Sequence, residues 1–468
     1  MKAFLLLTVF ITAFVGSTVA TAGKPNIILI MLDDLGYADI SPYGQRKILT
    51  PNLSKMAERG MKFTQFYAGV SVCAPSRSSL MEGLHTGHSY IRGNKQNGEG
   101  NGQWPIPEGT VTIPSLLKKA GYATGMIGKW GLGDPGTSGD PLKHGWDFYY
   151  GYTDQVLAHN YYPEYLLKNG EKIYLDNEVK YLDDCFDPNC SYSTVRNDYS
   201  HDFMMEEALA FLDRNQDNPF FLYLPFTIPH DNGEQLPNER FEVPRQGIYE
   251  SKPWTKEQKD YAAMISYMDV GLGDLMRRVK TLGLQNSTLF LFTSDNGPMK
   301  NQAATAFFDS NGPLRGGKRD LYEGGLRVPM IAYWPSVVGQ GKVTDHIAAA
   351  WDIMPTLCEM AGIDAPEETD GQSFLPTLMG KPQANPEFLY WEYHTKEGDQ
   401  AVRMGDWKGI RFGAGINPSA SVALYNLADD IGETRDLASA HPGIVKRMTA
   451  IMDAEHSPSE IFPFGNER

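Results

Sequence analysis

Across 468 residues the chain has only four cysteines, and its 42 lysines and arginines are outnumbered by 57 aspartates and glutamates. The resulting net charge of −15 excludes a nucleic-acid binder, because the basic footprint such proteins use is missing. It also opposes long-range steering of an anionic substrate, so any attraction to one must be local. Beyond the N-terminus no apolar run approaches the roughly 20 residues that cross a bilayer. Internal repeats, heptads and low-complexity tracts are absent as well, which excludes solenoids, coiled coils and flexible spacers. What is present is a globular composition, with 41% hydrophobic and 12% aromatic residues, enough to argue against disorder.

The first residues, Met1 and Lys2, precede an apolar run over residues 3–15 and small residues ending in Ala20, Thr21 and Ala22. A charged start, a short apolar core and an A-x-A site read as a secretory signal peptide over residues 1–22. The mature chain is then exported, to a periplasm, a lysosome or the outside according to host, with no membrane span left after cleavage. Export suits the cysteines. Cys185 and Cys190 lie close together in DDCFDPNC, a turn-rich segment where a small-loop disulfide is plausible in an oxidising compartment. Cys358, in DIMPTLCEMAG, has the helical spacing of a core residue, which leaves Cys73 without a partner.

Short continuous apolar runs alternate with helical patterns along most of the chain. They are KPNIILIML (24–32), YATGMIG (122–128), PFFLYLPF (219–226), STLFLFTS (287–294) and VPMIAYWP (328–335). Such runs mark strands buried on both faces, and the alternation predicts a doubly wound, mostly parallel α/β sheet flanked by helices over residues 23–380. After a linker at 362–380, the segments LYWEYH, QAVRMGDWKGIRF and SVALYNL alternate between turns and precede a helix. They predict a smaller antiparallel α+β subdomain over residues 381–468.

Ligands of open α/β sheets bind beyond the carboxyl ends of the strands. Asp33, Asp34, Lys129, His230, Asp295 and Asn296 all follow directly on apolar runs at that end. Singly each has an ordinary explanation as a cap, a turn or a surface charge. Together they would place a metal, an anion clamp and a proton donor in one cleft. Two adjacent carboxylates repel unless a cation sits between them, and hard divalent ions take oxygen ligands.

Residues 72–88, VCAPSRSSLMEGLHTGH, put Cys73 where a loop turns into an amphipathic helix. A helix N-terminus favours an anion, and Arg77, one turn in, adds fixed donors. A cysteine there is either a thiolate nucleophile with a lowered pKa or a buried structural residue. The run Cys73-Ala74-Pro75-Ser76-Arg77 resembles the Cys-x-Pro-Ser-Arg signature of the type I sulfatases of the alkaline phosphatase superfamily, in which the cysteine is oxidised to formylglycine. The resemblance covers nearly the whole mature chain and is to sulfatases of the arylsulfatase A and N-acetylgalactosamine-6-sulfatase kind.

What the resemblance implies is a calcium-dependent sulfuric ester hydrolase acting on a sulfated glycan, with a formylglycine hydrate as nucleophile, a sulfoenzyme intermediate and a separate maturation enzyme. Asp33, Asp34, Asp295 and Asn296 match the protein ligands of the calcium ion, completed by the group made from Cys73. Arg77 and Lys129 match the cations that hold hydrate and sulfate, Lys318 in GGKRDLYEGG matches a lysine on the sulfate, and His230 matches the acid that protonates the departing alcohol. Asp295 is the candidate to take the proton of the nucleophile. The chain departs from the family at Gly128-Lys129-Trp130-Gly131-Leu132-Gly133, where Gly131 stands in place of the usual histidine. His88, His144 and His159 are the nearby substitutes in sequence. The segment PLKHGWDFYYG with TDQVLAHNYYPEYL resembles the substrate region of galactosamine-sulfate sulfatases, so His159 and its aromatic neighbours either line a sugar subsite or belong to the core. His88, Arg92 and Asn94 are further candidates to read sugar hydroxyls. The competing functions are a phosphate or phosphonate monoester hydrolase of the same superfamily and an inactive sulfated-glycan binding protein.

Overall fold

The computed structural model describes residues 23–95, 103–394 and 397–465. The expected signal peptide lies outside them. In chain order the strands of the main body are β1 (Asn26–Leu32), β2 (Met61–Tyr67), β3 (Ala123–Lys129), β4 (Phe148–Tyr152), β5 (Tyr165–Lys168), β6 (Glu171–Tyr174), a hairpin of β7 (Asn177–Tyr181) and β8 (Ser191–Arg196), β9 (Phe220–Pro225), β10 (Thr288–Ser294), β11 (Arg327–Tyr333), β12 (Lys342–Thr344) and β13 (Ala348–Ala349). All but the hairpin join one sheet, in the order β12-β2-β11-β10-β1-β9-β3-β4-β5-β6, with β13 beside β2. Its central block, β10-β1-β9-β3-β4, is parallel throughout. The run at 328–335 departs from that winding, since β11 lies antiparallel between β10 and β2.

Every residue of β1, β9, β10 and β11 is buried, because helices cover both faces of the sheet. Alternation along β1 shows how. Ile28, Ile30 and Leu32 pack with Phe211 of the helix Ser200–Arg214 and with Met264 and Leu275 of the helix Lys256–Thr281. Ile27, Leu29 and Met31 point the other way, toward Leu80, Leu117 and Leu357 on three other helices. The longest helix, Lys256–Thr281, starts at a capping box in which Thr255 and Gln258 satisfy each other's backbone N–H groups.

Four further strands, β14 (Leu389–Tyr393), β15 (Asp399–Met404), β16 (Trp407–Arg411) and β17 (Val422–Asn426), form a separate antiparallel sheet in sequence order. Trp391, Ala401 and Ile410 turn one face onto Tyr67, Val70 and Val72 of the main body. Tyr390, Val402 and Leu424 turn the other onto Met448 and Met452 of the helix Pro442–Ala454. A buried ion pair fastens the two sheets, with Lys408 Nζ 2.9 Å from Glu323 and 3.2 Å from Glu433. Cys185 and Cys190 are disulfide-bonded, and Cys358 is a buried helix residue.

Candidate active site

Strands β1 and β10 pair residue for residue, from Asn26 opposite Thr288 to Leu32 opposite Ser294. The next residues, Asp33-Asp34 and Asp295-Asn296, therefore leave the sheet side by side. Lys129 ends β3 at the same edge, and His230 follows shortly after β9. Helix α1 (Pro51–Arg59) leads into β2, and helix α2 (Cys73–Glu82) then starts at the carboxylates, with Cys73 Sγ 3.3 Å from Asp33 Oδ1. Asp33, Asp34, Cys73, Arg77, Lys129, His230, Asp295, Asn296 and Lys318 thus converge, none more than 7% exposed.

Cations and carboxylates interleave at hydrogen-bonding distance. Lys129 Nζ lies 2.6 Å from Asp33 Oδ2. Arg77 donates from Nε and Nη2 to Asp295 Oδ2, at 3.2 and 2.8 Å, and its Nη2 is also 3.3 Å from Asp33. Lys318 Nζ sits 2.8 Å from Asp34 Oδ1. Burial opposes ionisation of Asp33, but Lys129, His230, Arg77 and Lys318 overcome it and hold the carboxyl well below its usual range. At Asp295 burial and the neighbouring Asp33 prevail, and its carboxyl is pushed up to about 7. His230 donates from Nδ1 to its neighbour's carbonyl oxygen at 2.7 Å, so Nε2 faces Asp34 at 3.7 Å. Burial and then Lys318 push this imidazole down to about 4.

One orphaned atom tests whether a cation fits here. Asn296 gives its Nδ2 hydrogens to Asp34 Oδ1 and to the Gly297 carbonyl, while its Oδ1 is buried without a hydrogen-bond partner. A buried carbonyl oxygen beside three carboxylates is what a hard, oxygen-seeking cation satisfies. Ligand atoms of Asp33, Asp34, Cys73 and His230 also lie within 4.8 Å of one another. Asp34 itself holds a left-handed backbone, φ 65°, a cost that sites of this kind retain. The donor set fits calcium.

Two expectations about Cys73 need correction. Its thiol is not a ready thiolate, because burial and the Asp33 charge push it up to about 12 despite the helix N-terminus. Nor is α2 amphipathic, since residues 73–81 are all buried and the helix runs through the core. As an unmodified cysteine this residue is a weak nucleophile.

Above the buried charges opens a cavity of about 750 Å³, lined by Cys73, His230 and Lys318 at its floor. His159 belongs to it: its ring stacks on His230 with centroids 4.6 Å apart, and Nδ1 lies 3.1 Å from Glu234. Tyr161 and Tyr162, in contrast, are core residues. Asn94 reaches the wall, where its Oδ1 accepts from the Ala74 backbone N–H. His88 does not line the cavity. Its Nδ1 is 2.9 Å from Asp370, beside His85 and Glu455, because α2 carries the chain away from Cys73 by about 15 Å over ten residues. Arg92 is also turned aside, donating to the Ser89 carbonyl, and His144 is buried against the Ser138 carbonyl. Of the three candidate histidines only His159 reaches the cavity, and neither His88 nor His144 lines it. Gly131 has φ 74°, and a Cβ there would lie 2.0 Å from Gln155 Nε2, so the Gln155 carboxamide fills the space of the absent side chain. Glu234, Gln155, Phe186 and Arg319 line the cavity without a signal in sequence reading, apart from the adjacency of Arg319 to Lys318.

A buried cysteine beside clustered carboxylates, beneath a cavity whose floor carries Lys318 and His230, is an arrangement suited to anionic esters on an α/β scaffold. The chain belongs to the sulfatase family, whose model matches residues 25–363, and a C-terminal model described as N-sulphoglucosamine sulphohydrolase matches residues 316–456. It is 31% identical to human N-acetylgalactosamine-6-sulfatase over 86% of this chain and 77% of that one. Human arylsulfatase A is also 31% identical, over 92% and 87%. Among solved structures, Ps i-CgsB aligns with a TM-score of 0.76 and 29% identity over 92% of both chains, and it is also known in complex with k-i-k-neocarrahexaose.

Proposed function

We propose that the protein is an exported, calcium-dependent sulfatase that cleaves sulfate esters of a sulfated carbohydrate, using formylglycine made from Cys73 by a maturation enzyme. The observation that carries this reading is that Cys73 lies against Asp33 at the floor of a cavity it shares with Lys318 and His230, directly above the buried carboxylates and the orphaned Asn296 Oδ1. Asp33, Asp34, Asp295 and Asn296 would hold the calcium, which supplies Lewis acidity. The aldehyde hydrate at position 73 would supply a nucleophilic hydroxyl, which the buried thiol does not. The Cys185–Cys190 disulfide suits an oxidising compartment, and residues 381–468 act as the C-terminal subdomain.

The remaining chemistry follows from the chain's own groups. An oxygen nucleophile and a sulfate ester repel until charge is neutralised, and Arg77, Lys129 and Lys318 do this where little water screens them. Asp295, whose charge reaches the Cys73 side chain, is the candidate to take a proton from the nucleophile. His230 presents Nε2 toward the cavity as the proton donor to the leaving alcohol. Buried beside Lys318 it is neutral, and an approaching sulfate ester brings the negative charge that raises its proton affinity. Local attraction of this kind answers the unfavourable net charge.

The test is substrate competition. Matured protein is expected to show kcat/KM at least about 10-fold higher for a sulfate ester than for the matching phosphate or phosphonate ester, a gap worth roughly 1.4 kcal/mol. Preference for the phosphonate would assign the site to the other hydrolase class, and binding without turnover would assign it to glycan recognition.

A further inference from the structure

Among the described residues, the cavity has one cation without a hydrogen-bond, ion-pair or ring partner. Lys318 is taken by Asp34, and His159 by Glu234. Arg240 lies 3.6 Å from Asp231, and Lys95 donates to the Ile461 carbonyl while resting over Trp104. Arg319 remains. It is exposed and lines the cavity, and among the described residues its guanidinium has no hydrogen-bond or ion-pair partner. In a chain with fifteen more acids than bases, a cation left unpaired beside an anion-binding floor is not explained by a generally basic surface.

Its backbone is held in place. Arg319 has φ 73°, a left-handed conformation that a side-chain-bearing residue adopts at a cost, and its N–H donates to the Ser71 carbonyl at 2.8 Å. That bond ties its backbone to the loop two residues before Cys73. The neighbouring lining differs: Asp154 and Asp187 offer carboxyl oxygens that suit sugar hydroxyls. Phe186, 69% exposed in the disulfide-closed loop, adds an aromatic face for a pyranose ring.

We propose that Arg319 binds a second anionic group of the substrate, so that the preferred substrate is a saccharide carrying a carboxylate or second sulfate besides the ester to be cleaved. This rests on the sulfated-saccharide reading above, and binding separates the two. The full chain carrying Cys73→Ala, which precludes turnover, is titrated by calorimetry with calcium present. The probes are N-acetylgalactosamine 6-sulfate, its 4,6-disulfate, and a 6-sulfated disaccharide with a neighbouring uronate. At least one second anion is expected to tighten binding about 10-fold, as charge-assisted hydrogen bonds do. Arg319→Asn, chosen because asparagine tolerates the left-handed backbone, should abolish that gain, and Arg319→Lys should keep part of it. A gain of less than about twofold from both second anions, or a gain that survives in a folded Arg319→Asn protein, overturns the assignment of Arg319 alone. Failure of all three saccharides to bind overturns the saccharide reading together with it.

Discussion

Asn296 donates its carboxamide nitrogen to Asp34 at 2.7 Å and so leaves its own Oδ1 buried and unpartnered among carboxylates. That arrangement costs stability until a cation arrives, since burying an unsatisfied oxygen and like charges is unfavourable. Calcium should therefore raise the melting temperature. At a hundredfold excess of free ion over its Kd the folded state gains about 2.7 kcal/mol. Asn296→Leu should remove most of the calcium-dependent shift in a thermal melt, whereas an equal shift in the variant would show that the ion binds elsewhere.

Gln155 and Gly131 form a complementary pair, one side chain filling the space the other lacks. Gly131→His should be destabilising twice over, by a left-handed backbone costing roughly 1–2 kcal/mol and by collision with the carboxamide. Shortening the neighbour in Gly131→His/Gln155→Ala should recover the second part. A thermodynamic cycle over the four proteins measures the coupling, and strict additivity would contradict the pairing.

His88 sets a pH dependence. Its hydrogen bond to Asp370 raises its pKa, against burial and Arg92, with Asp370 and Glu455 adding to the rise. A raised folded-state value means its contribution is complete below the unfolded value of about 6.5 and is lost as pH rises through the folded value. Melting temperatures should fall across that window more steeply in wild type than in His88→Gln. Parallel curves would remove this imidazole from the balance.

Lys408 is fully buried between Glu323 and Glu433, at the junction of the two sheets. Lys408→Met leaves Glu433 without its cation and Glu323 with Arg327 alone, so denaturant unfolding should register a loss of about 3–5 kcal/mol. A loss below about 1 kcal/mol, the scale of an exposed pair, would mean that water reaches the glutamates.

The legible parts of this molecule are those where physics acts locally. Strands β1, β9 and β10 are apolar along their whole length because both faces are covered, and the site residues that follow them are visible for that reason. β2 escapes notice because its polar residues Lys62, Thr64 and Gln65 are only partly buried, and β6 and β7 because they are largely exposed and charged. Direction is also hidden: nothing local says that β11 runs antiparallel. His88 stands fifteen residues from Cys73 yet outside the cavity, because a helix separates them in space. Gln155 and Arg319 owe their places to contacts across the fold, with Gly131 and Ser71, which no periodicity announces.

The decisive measurement is inorganic sulfate release from a panel of monosulfated sugars by protein produced together with a formylglycine-generating enzyme, set beside its Cys73→Ala counterpart. Wild type should liberate sulfate from at least one sugar, and the alanine protein, with the same fold and calcium supply, from none. Comparable release by both would mean that the group at position 73 does not attack the ester.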